Sequence, residues 1–192
     1  MNKFTSKHFK DYNYLRRAIN VIECMACDMD ADFREPITIH IGRCREDIKQ
    51  IDDIISTAPG YISEALKDLR QTHHYNLGYC NECRMNNCEC IKYALPRATT
   101  RYLNLLNKKT TGEAISKAGF PELKYALKMA TLPDERKEIK KQVLDWVNTY
   151  DYRFMGSLII LKYVEELTYK KISQLIFRTQ DQSVSSNRFR YY

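Results

Sequence analysis

Four thiols stand within eleven residues at Cys80, Cys83, Cys88 and Cys90, a Cys-x2-Cys pair followed by Cys-x-Cys. A Cys-x2-Cys turn brings two thiolates to one ion at small conformational cost, and four such ligands suit tetrahedral Zn2+. The spacing predicts a structural zinc site, with His73 and His74 near enough in sequence to replace one ligand. The second pair is tighter than in a zinc ribbon and the four-residue spacer shorter, so two other readings stay open. One is plain reduced thiols; the other is redox or iron-sulfur chemistry. Cys24 and Cys27 repeat the Cys-x2-Cys spacing inside a strongly periodic segment, where they read as small apolar residues of a helix.

The second group is polar and basic and lies in the last quarter: Thr168, Lys170, Lys171, Arg178, Gln182, Ser185, Ser186, Arg188 and Arg190. A helix that reads duplex DNA needs short polar side chains at base edges and cations beyond them on phosphates. Gln182, Ser185 and Ser186 are expected at base edges, with Arg178, Arg188 and Arg190 on phosphates. The alternative is a polar helix on a solvated side. Catalysis has little to stand on: the four histidines are scattered, no nucleophile or metal-hydrolase motif surrounds them, and no glycine-rich phosphate loop is present. The expectation is that the chain is not an enzyme.

Helices must position these groups. With 44% hydrophobic and 29% charged residues, 192 residues are enough for a folded core. Six glycines and five prolines are too few for the many turns of a sandwich or barrel, so the expected class is all-α. A formal charge of +7 and a pI near 9.0 favour phosphate polymers or acidic surfaces as partners. No apolar leader follows Met1, and the apolar run around Leu158 to Leu161 is far short of the about 20 residues that cross a bilayer. A soluble, cytoplasmic protein is expected, in the host cytoplasm if phage-encoded, with no membrane partner. Seven cysteines, an odd number, argue against a disulfide framework.

Along the chain, Phe9, Tyr12, Leu15, Ile19 and Ile22 recur at helical steps, with Met25 or Ala26 beyond and Ser6 as a candidate cap. The acidic DMDAD segment ends that helix. Pro36 disfavours helix before it, and Ile37, Ile39 and Ile41 alternate with Thr38 and His40, so an extended connector is expected up to Gly42. Helices follow over about 44–56, with Ile48, Ile51, Ile54 and Ile55 inward, and 61–72, with Ile62, Ala65, Leu66 and Leu69 inward. They are broken by Thr57-Ala58-Pro59-Gly60 and could form a hairpin, a dimer seam or simply core. Residues 98–106 are helical. Pro121 opens a helix after a turn at Gly119, and Pro133 opens another that buries Ile139, Val143, Leu144 and Val147, with Trp146 as its anchor on the C-terminal unit. In the last quarter, Phe154 to Val164 is too apolar to be solvated. Glu165-Glu166-Leu167 breaks it. Thr168 caps a second helix that buries Ile172, Leu175 and Ile176, and Asp181 or Ser183 caps a third.

The string LIILKYVEELTYKKISQLI, with Lys162-Tyr163, Thr168 and Ile172 in the expected places and a downstream Ser-Val, resembles the sigma-70 region 4-like helix-turn-helix of phage late-transcription regulators of the RinA/ArpU type. Asp11 to Ile19 is similar to the Tyr-x-x-Leu helix that opens many such proteins. Ser173 stands where the pattern has alanine, Asn187 where it has an apolar residue, and the turn before Val184 is about a residue longer. Residues 111–127 are similar to the first helices of phage small-terminase DNA-binding domains. The chain is expected to divide into four regions: a helical region over 1–75 that could dimerise, a cysteine-rich, zinc-binding loop over 76–97, central helices over 98–150 and the helix-turn-helix over 151–192. The resemblance implies a promoter-binding transcriptional regulator that acts as a homodimer on double-stranded DNA. The other readings are a helical interaction protein that binds RNA polymerase or another host protein, and a small-terminase-like packaging protein.

Overall fold

Seven consecutive residues, Arg153 to Ile159, are buried on every side, the signature of a helix at the centre of a core. The computed structural model describes residues 4–73, 89–108 and 120–189, without the side chains of 89–93 and 108. Its elements are all helical, with no strand among the described residues: α1 (Ser6–Ala26), α2 (Ala31–Thr57), α3 (Gly60–Thr72), α4 (Glu89–Lys108), α5 (Phe120–Met129), α6 (Pro133–Thr149), α7 (Arg153–Ile159), α8 (Tyr169–Ile172) and α9 (Ser183–Arg188). Two π-helical segments, π1 (Ile160–Val164) and π2 (Ser173–Phe177), extend α7 and α8. None of the described helices is long and apolar enough to cross a membrane.

The chain divides into two units, Met1–Asn13 with Asp47–Glu113, and Tyr14–Glu46 with Ala114–Tyr192, so α1 and α2 each contribute to both. In the first unit Phe9, Tyr12, Ile51, Ile55, Ile62, Leu66, Leu69 and Leu103 form the core. The Asp52 carboxylate accepts from the Tyr12 hydroxyl at 2.9 Å and pairs with Arg70 at 2.7 Å. Asn107 closes the N-terminus by accepting from Phe4 N–H and donating to its carbonyl, at 3.0 and 2.7 Å.

In the second unit α7 and π1 pack on α6, and the buried apolar residues there include Leu15, Ala18, Ile19 and Ile22 of α1, Ile37, Ile41 and Cys44 of α2, and Ile139, Val143, Leu144 and Val147 of α6. Residues 31–57 correct the expected connector, because Pro36 lies inside one continuous helix. An interior proline costs about 3 kcal/mol. Helical spacing buries Ile37 and Ile41 one turn apart and leaves Ile39 44% exposed; two buried isoleucines at about 1.5–3 kcal/mol each offset the proline. Asn148 adds a hydrogen bond to the Pro36 carbonyl at 2.9 Å. Cys24 and Cys27 also differ from expectation: both are exposed, Cys27 just beyond α1, whereas Cys44 is buried.

Trp146 stacks on Phe120 and Tyr150, at ring distances of 4.9 and 4.7 Å. Phe120 carries the contact onward, edge-on to Tyr163 at 5.4 Å. Ion pairs join the α1–α2 turn to α6: Lys137 reaches Asp30 and Asp32 at 2.7 and 2.9 Å, and Lys141 reaches Asp32 at 3.1 Å. Exposed pairs of this kind contribute little to stability individually.

At Gly156 the close approach of three helices requires glycine. A β-carbon there would lie 3.0 Å from both His40 Cε1 and Val147 Cγ1. His40 is in turn held by Ser157 Oγ at 2.9 Å from its Nε2, with Cys44 Sγ 3.3 Å away. Ser157 donates its proton to the Arg153 carbonyl at 3.0 Å, so His40 Nε2–H is the donor to Ser157. His40, Cys44 and Ser157 are each at most 1% exposed. The trio is thus sealed from any substrate despite its Cys-His chemistry.

Candidate nucleic-acid interface

The connection between π1 and α8 is built from charge. Glu166 adopts φ 57°, in the left-handed region, which is uncommon for a residue with a β-carbon. Its carboxylate pairs with Arg136 and, at 3.4 Å, with Lys140. The Arg136 hydrogen bond holds Glu166 below the usual carboxylate range, while burial pushes its neighbour Glu165 up. Lys162 Nζ donates to the Leu167 carbonyl at 3.0 Å and lies 4.8 Å from the centre of the Tyr169 ring. The acidic break is therefore a fixed corner.

Thr168 then starts α8 from an extended conformation, its side chain accepting from Lys171 N–H at 3.2 Å. That hydroxyl is engaged in the cap. Lys170 and Lys171 are exposed, Ile172 and Ile176 are fully buried, and Leu175 is half-buried. Arg178, exposed, ends π2 at φ 57°, the second left-handed residue of the region. Across the following turn Gln174 Nε2 donates to Gln180 Oε1 at 2.8 Å, and Asp181 Oδ1 accepts from Ser183 N–H at 2.8 Å. That hydrogen bonding with Ser183 lowers the Asp181 carboxyl below its ordinary value. The N-cap of α9 is Gln182, which makes no side-chain cap hydrogen bond, in place of the expected Asp181 or Ser183; Asp181 acts from one residue before it, on the Ser183 N–H.

Ser185 is fully buried, which removes it from the expected base-edge set. Its hydroxyl donates to the Tyr169 carbonyl at 2.6 Å and accepts from Ser173 Oγ at 2.9 Å, while Ser185 N–H donates to Ser173 Oγ at 3.3 Å. Buried hydroxyls are costly unless paired, and here each serves the other. Ser173 in place of alanine therefore has a structural reason: it joins π2 to α9. Phe189, which sequence reasoning passed over, is 4% exposed and packs on Tyr169 and Tyr163 at ring distances of 5.4 and 6.2 Å. An aromatic residue in an otherwise polar run was the available signal.

Gln182 and Asn187 remain exposed, and Ser186 and Arg188 are half-buried. The Arg188 guanidinium lies 5.8 Å from the centre of the Phe177 ring. Of the expected DNA-contacting residues, Lys170 and Lys171 thus lie on α8, Arg178 and Gln182 in the turn, and Ser186 and Arg188 on α9. Arg190 lies outside the described residues, as do Cys80, Cys83, Cys88 and His74. Cys90 falls in α4 with its side chain outside them, and the expected turn at Gly119 also falls outside. Among the described residues no three His, Cys, Asp or Glu side chains gather as a metal site would require. No family model matches the chain, and no curated protein or solved structure matches it.

Proposed function

We propose that the chain is a DNA-binding transcriptional regulator, of the phage late-regulator type that its C-terminal sequence resembles, acting at promoter DNA through a helix-turn-helix formed by α8 with π2, the turn at 178–182 and α9. The observation that carries this reading is the Thr168-capped, internally hydrogen-bonded helix pair that leaves Lys170, Lys171, Arg178 and Gln182 exposed. Cations there meet phosphates, and Gln182 and Ser186 meet base edges. Homodimer formation and contact with RNA polymerase belong to the same proposal. The exposed Tyr125, Met129 and Leu132, at 65%, 58% and 65%, favour a protein partner as the second reading.

A gel shift with promoter fragments from the protein's own genomic neighbourhood, at two salt concentrations, tests the proposal. Affinity is expected to fall steeply with salt, because each phosphate neutralised releases counterions. Absence of duplex binding at low salt, with retained capture of purified polymerase, would favour the second reading instead. A structural zinc ion on Cys80, Cys83, Cys88 and Cys90 is proposed from spacing alone. Elemental analysis of the purified protein is expected to find zinc near one equivalent, and metal-free, folded protein would end that idea.

A further inference from the structure

The second unit holds a cleft of about 350 Å³ bounded by α5, α6, π1 and the start of α8. Among the described residues, the cations Lys124, Lys128, Arg136 and Lys162 line it against one carboxylate, Glu166. That carboxylate is already shared between Arg136 and Lys140. Lys162 is turned to the Leu167 carbonyl and the Tyr169 ring, and Lys128 stands exposed at the rim. Clustered like charge in a walled cleft focuses the field and raises the local concentration of anions.

The cleft and the candidate interface share α8. Tyr169 lines it and is followed directly by the exposed Lys170 and Lys171. A duplex strand carries a phosphate at every step, about 3.4 Å apart along the axis. A strand that meets Lys170 and Lys171 carries further phosphates on either side of that contact.

We propose that this cleft seats the sugar-phosphate backbone of DNA beside the segment contacted by α9, with Lys124 and Lys128 as its phosphate-binding side chains. The inference rests on the DNA-binding reading and adds to it contacts that are independent of sequence. Backbone contacts position a protein on the duplex without selecting bases.

The test uses the full chain. Binding to a promoter fragment and to a scrambled duplex is measured between 50 and 200 mM salt for the unaltered protein and for Lys124→Gln/Lys128→Gln. The double variant is expected to weaken both duplexes by the same factor and to lower the steepness of the log-log salt dependence by about 2, close to one per lost phosphate contact. Lys128→Gln alone, at an exposed position, is expected to lower it by about 1 and guards against a folding defect in the double variant. Unaltered protein that binds DNA, together with variants of unchanged salt dependence, overturns the cleft and leaves the DNA-binding reading standing. Loss of binding to a polyglutamate probe with DNA binding intact would assign the cleft to an acidic protein segment and also overturn it. Unaltered protein that binds no duplex at all overturns both readings.

Discussion

Replacing Lys170 and Lys171 by glutamine and Arg178 by glycine is expected to lower duplex affinity at 0.1 M salt by about two to three orders of magnitude, with the fold intact. Each lost phosphate contact removes about 0.9 from the log-log salt slope, so three contacts account for a drop of that size. The lysines are exposed, and the Thr168 cap uses the backbone N–H of residue 171, which the substitution keeps. Glutamine has nearly the helix propensity of lysine. Arg178 sits at φ 57°, where glycine relieves about 1 kcal/mol of backbone strain. Arg178→Gly alone should therefore melt no lower than the unaltered protein while binding DNA more weakly. Gel shift and thermal melting on the same samples separate the two effects. An affinity loss below tenfold for the triple variant, or a fall in melting temperature matching the loss, would remove α8 and its turn from the interface.

The second large effect is on stability against pH. His40 is 1% exposed, and burial, with the positive charges of Arg153 and Arg43, lowers its pKa to about 3 from an ordinary 6.5. Its Nδ1 has no hydrogen-bond partner among the described residues. The folded protein holds it neutral, whereas the unfolded chain takes up a proton below pH 6.5. Its stabilising effect is thus complete above pH 6.5 and is lost progressively as pH falls toward 3. At 1.36 kcal/mol per pKa unit, the loss between pH 6.5 and 5 is about 2 kcal/mol. His8, lowered to about 4 chiefly by burial but half open to solvent by accessible area, contributes a smaller part of the same sign. Glu166, Asp32 and Asp181 are lowered carboxyls, so their contributions are present above the ordinary carboxylate range and are lost only below it. Denaturant titrations at pH 7, 6 and 5 should show this decline in the unaltered protein and a much shallower one in His40→Gln. Equal slopes for the two proteins would show that His40 is not the buried proton site.

Local chemistry was enough to read most helices. Period and capping residues place α1 from Phe9 to Ile22, α3 after Pro59-Gly60, α6 from Pro133, and α8 from Thr168. In each, a strong breaker or cap sits next to a long apolar stripe, and both signals act within a few residues. The depth of α7 was also legible, because a helix apolar on every side has nowhere else to go. The acidic corner was legible only as a break; its left-handed Glu166 is held by Arg136, thirty positions upstream.

The remainder depended on neighbours distant in sequence. Ile37, Ile39 and Ile41 alternate in a way compatible with extended chain, and burial of Ile37 and Ile41 in the second unit's core makes them helical despite Pro36. Cys24 and Cys27 lie on a periodic helix, but the stripe alone did not settle which side they occupy, and both are exposed. The division of α1 and α2 between two units has no mark in composition. In α9, six residues are too few for a periodic pattern to define a phase. Phe189 and Ser173 set the rotation instead, drawing Ser185 inward and leaving Gln182 and Asn187 out. By itself the sequence determined that these residues form a polar, basic third helix. Tertiary packing decided which of them can meet a ligand, because a short helix takes its orientation from the side chains that bury it.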